Sequence, residues 1–139
     1  MSTDAKVTTF ADAFERLSEG LISNKESIEV GSFYDFIVNV WALSFEHPEY
    51  FKAWHVWRVA EDIEDCIAKE LNYCAVLPRF HFKSTVLGHA FSVWSLLKSP
   101  RDAAVLYLSY SDAMAKYHIS EINKTISRNP ILTQWMVNR

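Results

Sequence analysis

Lys83, Ser84 and Thr85 stand in a row. An ammonium beside two hydroxyls is a set that handles phosphate. The lysine supplies a point charge for the terminal phosphates, and the first hydroxyl can ligate Mg²⁺. The three residues close the stretch Pro78-Arg79-Phe80-His81-Phe82-Lys83-Ser84-Thr85, which adds a second cation and an imidazole. Set against the phosphate-loop pattern G-x-x-x-x-G-K-[ST], Leu77 occupies the first glycine slot and Phe82 the second. Glycine allows backbone conformations and a close phosphate approach that Phe resists. On pattern alone the stretch reads equally as a degenerate phosphate loop and as a strand-to-helix turn with a basic face.

The elements around it decide where those groups point. Tyr73-Cys74-Ala75-Val76-Leu77 is a short apolar run of strand type. From Ser84 to Leu97 the chain is apolar nearly all round, the mark of a buried helix. Strand, tight loop and helix in that order aim backbone N–H groups and a helix N-terminus at one point, where anions bind. Ser99-Pro100-Arg101-Asp102 reads as a turn. Ala103 to Leu108 reads as a second strand, without the alternation of a half-exposed one. Ser109 and Asp112 have cap spacing, and Ala115, Ile119, Ile122 and Ile126 form a helical stripe. Asn129-Pro130 can start another helix, with Pro at its first position. The expectation is an α/β fold: N-terminal helices, then a phosphate-loop-type β-α-β-α unit with parallel strands and a right-handed crossover. In such a sheet the ligand lies beyond the carboxyl ends of the strands, where Pro78 to Thr85 falls.

Residues 1–72 read as a helical lead-in, and residues 73–139 as strand, loop, helix, strand, helix. Phe10, Phe14, Leu17 and Leu21 recur at helical spacing. Ser32 opens a second helix with Phe33, Phe36, Ile37, Val40 and Trp41 on one face, and Pro48 closes that region. A third helix runs from about Trp54 to Glu70, with Val56, Val59, Ile63 and Cys66 inward. Its other face carries Glu61, Asp62, Glu64 and Asp65. No histidine interleaves them, so they read as a solvated face and not as a metal site.

Composition narrows the classes. A chain of 139 residues, half of them hydrophobic, can bury one core and is not of disordered type. The formal net charge of −3 argues against a strongly basic nucleic-acid-binding domain, though not against a local basic patch. Cys66 and Cys74 lack C-x-x-C spacing, which speaks against a zinc site or a disulfide framework. No apolar run is long enough to span a membrane, and the polar, acidic N-terminus is unlike a signal peptide. The expectation is a cytoplasmic protein.

The run P-R-x-H-x-K-S-T after an apolar strand resembles the Walker A loop of the large terminase subunit of tailed phages. Leu106-Tyr107-Leu108-Ser109-Tyr110-Ser111, Ala115, Ile122-Asn123-Lys124 and Asn129-Pro130-Ile131-Leu132 resemble the family's next strand and helix. Trp54-His55 resembles the segment ahead of the loop. The resemblance spans roughly Phe33 to Leu132. It implies an ATP-driven motor that moves phage DNA into a procapsid and cuts it, with ATP and Mg²⁺ as cofactors. It implies that Pro78, Arg79, Phe80, His81, Phe82, Lys83, Ser84 and Thr85 surround the nucleotide, with Trp54 and His55 on its adenine side. Lys83 and Arg79 would act on the terminal phosphates, and Ser84 would hold Mg²⁺. Double-stranded DNA, the portal protein, the small terminase subunit and further copies of the chain are the implied partners.

Hydrolysis in a P-loop enzyme needs a Walker B carboxylate after an apolar strand. The second strand ends Leu108-Ser109-Tyr110, without an acid. The family's Walker B pair and nuclease carboxylates have no counterpart here. The chain therefore reads as the N-terminal portion of a P-loop ATPase domain, incomplete at its C-terminus and inactive alone. Two further readings stand beside it: a nucleotide-binding or assembly module that does not hydrolyse ATP, and a helical interaction domain with a degenerate loop.

Overall fold

The structure is a computed structural model, and it describes residues 30–99 and 104–137. Ser32 caps α1 (Phe33–Asn39) by accepting the Asp35 N–H at 3.1 Å. Two short 3₁₀ turns follow, Trp41–Ser44 and Pro48–Lys52. Pro48 thus opens a turn at its first position and does not close a long helix; α1 has already ended at Asn39. The next helix, α2, spans Trp54–Ala68 and buries Val56, Val59, Ala60 and Ile63. On its acidic face Asp62 pairs with Arg58 at 3.0 Å, and Asp65 pairs with Lys69 at 2.7 Å, just beyond the helix end. Ser84–Ala90 is π-helical and runs straight into α3 (Phe91–Lys98). Helices α4 (Asp112–Arg128) and α5 (Pro130–Val137) complete the set among the described residues. None of these helices is long and apolar enough to cross a membrane.

The α/β expectation is corrected here. Among the described residues there is no strand and no sheet; their regular structure is helical. Leu71–Pro78 and Ala104–Ser109, where parallel strands were expected, carry no regular structure. An apolar run of five or six residues states a preference for burial, but a strand exists only where a second backbone completes the ladder. No such ladder joins the two segments. Their side chains point largely to solvent: Val76 is 92% exposed and Leu106 80%. The turn at Pro100 and the helix around Phe10 to Leu21 lie outside the described residues.

The core gathers α1, the 3₁₀ turns, the inner face of α2 and the helix after the loop. Phe33, Ile37, Trp41, Phe51, Val93 and Leu97 are among its fully buried side chains. α4 contributes less than its stripe suggested. Ile122 is buried and Ile126 packs at the edge, but Ile119 is exposed. The cap of α4 is Ser111, which accepts the Met114 N–H at 3.3 Å, two residues after the expected Ser109.

Asn129 joins the two ends of this core. Its side chain is fully buried. Its amide donates to the Val40 carbonyl at 2.7 Å and to Ser44 Oγ at 2.9 Å. Its oxygen accepts the Ile131 and Leu132 N–H groups, each at 3.1 Å, and so caps α5 behind Pro130. Asn129→Ala strips partners from a buried carbonyl and a helix start. Each unsatisfied buried group costs about 1–3 kcal/mol. We expect Asn129→Ala to lower the thermal midpoint by at least about 4 °C.

Candidate functional site: the Pro78–Thr85 loop

The loop leaves Leu77 and ends at the start of the π-helical stretch. Two of its residues, Phe80 and Phe82, have φ of 65° and 54°, in the left-handed region where glycine is at home. Lys83 follows at φ −50°, ψ −55° and begins the helix. A left-handed residue followed by a right-handed one turns successive N–H groups toward a common side, the backbone nest that holds anions. The loop thus adopts, with Phe, a conformation that its pattern would assign to Gly.

Packing of the ring explains how at Phe82. Phe82 is half-buried, and its ring lies 4.8 Å from the ring of buried Phe51. Phe51 in turn packs on Phe45 at 5.0 Å, and Phe45 on Trp41 at 6.2 Å. The side chain that would obstruct a phosphate is drawn under the loop instead. Phe80 is 98% exposed at the turn. Both orientations match the requirement that Lys83 reach outward.

Pro78, Arg79, Phe80, Phe82, Lys83, Ser84 and Thr85 line an open concavity of about 560 Å³. Lys83 Nζ donates to the Leu77 carbonyl at 3.4 Å, a long bond that leaves the ammonium at the mouth. Ser84 is exposed, Thr85 half-exposed, and neither hydroxyl caps the helix. The first N–H groups of any helix lack intrahelical partners, so this end offers donors as well as hydroxyls. Arg79 is exposed, and its carbonyl accepts His81 Nδ1–H at 2.9 Å, which closes the turn.

The lead-in helix reaches this site through His55. The rings of His55 and His81 meet edge-on at 5.2 Å. His55 Nε2 is buried without a hydrogen-bond partner in the protein. It lies by a small space beneath the loop that His81, Phe82, Lys83 and Leu77 also line. Trp54, the neighbour of His55, is 77% exposed. The structure therefore brings Pro78 to Thr85 and His55 together, with Trp54 one ring further out.

The donor set suits a phosphate with a divalent ion: an exposed ammonium, an exposed hydroxyl at a helix start and a left-handed turn ahead of it, with Phe80 and Phe82 also on the wall of the concavity. It contains no carboxylate. Among the described residues no cluster of three His, Cys, Asp or Glu side chains forms a metal cage. Any Mg²⁺ here would rest on Ser84 and on the ligand's own oxygens.

Phe82 sets up a comparison of variants. Phe82→Ala loses the ring on Phe51 and keeps the left-handed strain, whereas Phe82→Gly loses the ring and the strain together. Left-handed backbone costs a non-glycine residue roughly 1–2 kcal/mol. Both variants are expected to be less stable than wild type in thermal unfolding, with Phe82→Gly the more stable of the two. Phe80→Gly, whose ring packs on nothing, should match or exceed wild type.

Comparison with protein-family models, with curated proteins and with solved structures found no match to this chain.

Proposed function

We propose that the Pro78–Thr85 loop binds the phosphates of Mg²⁺–ATP, and that the chain is the ATP-binding part of a phage large terminase subunit. The observation that carries the first half is the left-handed turn at Phe80 and Phe82 immediately before Lys83, Ser84 and Thr85. The second half rests on the resemblance of P-R-x-H-x-K-S-T and its flanks. In this reading Lys83 leaves the Leu77 carbonyl for the β- and γ-phosphates. Ser84 contributes its hydroxyl to Mg²⁺, which supplies charge neutralisation between phosphate oxygens. Thr85 lies by the inner phosphates, and Arg79 answers to the γ-phosphate. The exposed indole of Trp54 stacks on the base, and His55 supports the loop from below. Double-stranded DNA, the portal protein, the small terminase subunit and other copies of the chain are the partners of the whole motor, which works in the host cytoplasm.

A second reading, a helical interaction module with a degenerate loop, is favoured by one observation. Leu71–Pro78 and Ala104–Ser109 have no sheet to support a nucleotide pocket, and they expose Val76, Leu106 and Leu108.

Calorimetric titration of Mg²⁺–ATP into the chain separates the two. We expect weak, Mg²⁺-dependent binding. Lys83→Ala should weaken it by about tenfold or more, as loss of a charge-assisted phosphate contact of about 1.5–3 kcal/mol requires. Equal affinities of wild type and Lys83→Ala would exclude the phosphate-loop reading, and absence of binding with the helical fold intact by circular dichroism would select the interaction module. Turnover of ATP by this chain should be negligible, because among the described residues no carboxylate lines the site to orient water.

A further inference from the structure

His89 lies in the π-helical stretch behind the loop, and His118 lies in α4, 29 residues on. His89 Nε2 and His118 Nδ1 are 2.9 Å apart. His89 is only 8% exposed. Tyr107, from the segment between the helices, packs its ring on His118 at 5.1 Å. The close seat of Tyr107 depends on Gly88, where a Cβ would meet the Tyr107 hydroxyl at 2.6 Å. Glu121, one turn beyond His118, is the acid that acts on His89, and it is itself held by Lys124 at 2.7 Å.

A hydrogen bond between two imidazoles needs one N–H and one bare nitrogen. Two neutral rings satisfy this, and so does a pair carrying one extra proton on an outward nitrogen. A second extra proton leaves two N–H groups facing each other on two cations. We propose that the His89–His118 pair is a proton-dependent clamp, closed at neutral pH, that frees α4 from the helix behind the loop as the medium acidifies. The proposal does not depend on what the loop binds.

Burial, and then His118, hold the proton affinity of His89 below that of an ordinary histidine, while Glu121 opposes them. Tyr107 is held in its neutral form by burial. A histidine shifted down in the folded state contributes stability that is whole above the unfolded value of about 6.5 and is lost as pH falls below it. The clamp therefore opens on the acid side.

The test is thermal unfolding of the full chain from pH 8 to 5, for wild type, His118→Gln and His118→Phe. Gln can still bond His89 but cannot take a proton. Hydrogen exchange of the α4 amides, corrected for intrinsic rates, gives the second readout. We expect the wild-type midpoint to fall more steeply below about pH 6.5 than that of His118→Gln. Exchange in α4 should accelerate by up to about tenfold per pH unit in wild type alone, ahead of α2. Parallel midpoint curves, or α4 and α2 opening together, overturn the clamp. So does a midpoint raised by Zn²⁺ at pH 7 and restored by a chelator in wild type but not in His118→Gln, which would make the pair a metal site. Should His118→Gln fail to fold, His118→Phe, which keeps the ring on Tyr107, carries the same comparison.

Discussion

A buried amide must find partners for all its polar atoms or forfeit the free energy of leaving water. Asn129 meets that demand by reaching Val40, 89 residues away, as well as the N–H groups that open α5. Much of the site hangs from this bond. It sets the corner at Val40 to Ser44, and that corner presents Trp41 and Phe45. Their rings back Phe51, and Phe51 holds Phe82. Phe82 can keep a backbone conformation that suits glycine only because its ring has somewhere better to be than over the loop. A polar contact at one end of the chain and a strained turn near its middle are thus one mechanical system.

Sequence reading succeeds where the determinants are local. The Ser32 cap, the Asn129-Pro130 start, Val56, Val59 and Ile63 on the inner face of α2 and the helix from Ser84 all follow from residues within a turn or two of one another, although Cys66, expected inward, is only half-buried. It fails at Tyr73–Leu77 and at Ala104–Leu108 because a strand is a relation between two backbones, and composition names only one of them. The same limit applies to α4. Its isoleucines recur at helical spacing, but spacing cannot say that Ile119 meets solvent while Ile122 meets the core.

In the site, the row Lys83-Ser84-Thr85 was legible. The left-handed φ at Phe80 and Phe82 was foreshadowed at Phe82, which fills a slot that the phosphate-loop pattern reserves for glycine. What could not be read was the support from below. His55 and His81 are 26 positions apart, and His89 and His118 are 29 apart. Each is a lone histidine in its own segment, and no pattern pairs them. A tryptophan favours burial on average, yet Trp54 opens a helix whose inward face starts two residues later, at Val56.

The π-helical stretch Ser84–Ala90 sets the phase between the loop and everything after it. A π turn holds one residue more than the α turn it replaces. Each residue of an α-helix advances the chain by about 100° around the axis. Phe91–Lys98 is anchored by Val93, Trp94 and Leu97, so it cannot rotate. Any conversion of the wide turn into an ordinary one must therefore be taken up at the other end. That would swing Lys83 by about a quarter of a revolution and tear Phe82 from Phe51. The single surplus residue works as an indexing pin, holding the loop at one angle on a helix whose own geometry would allow several.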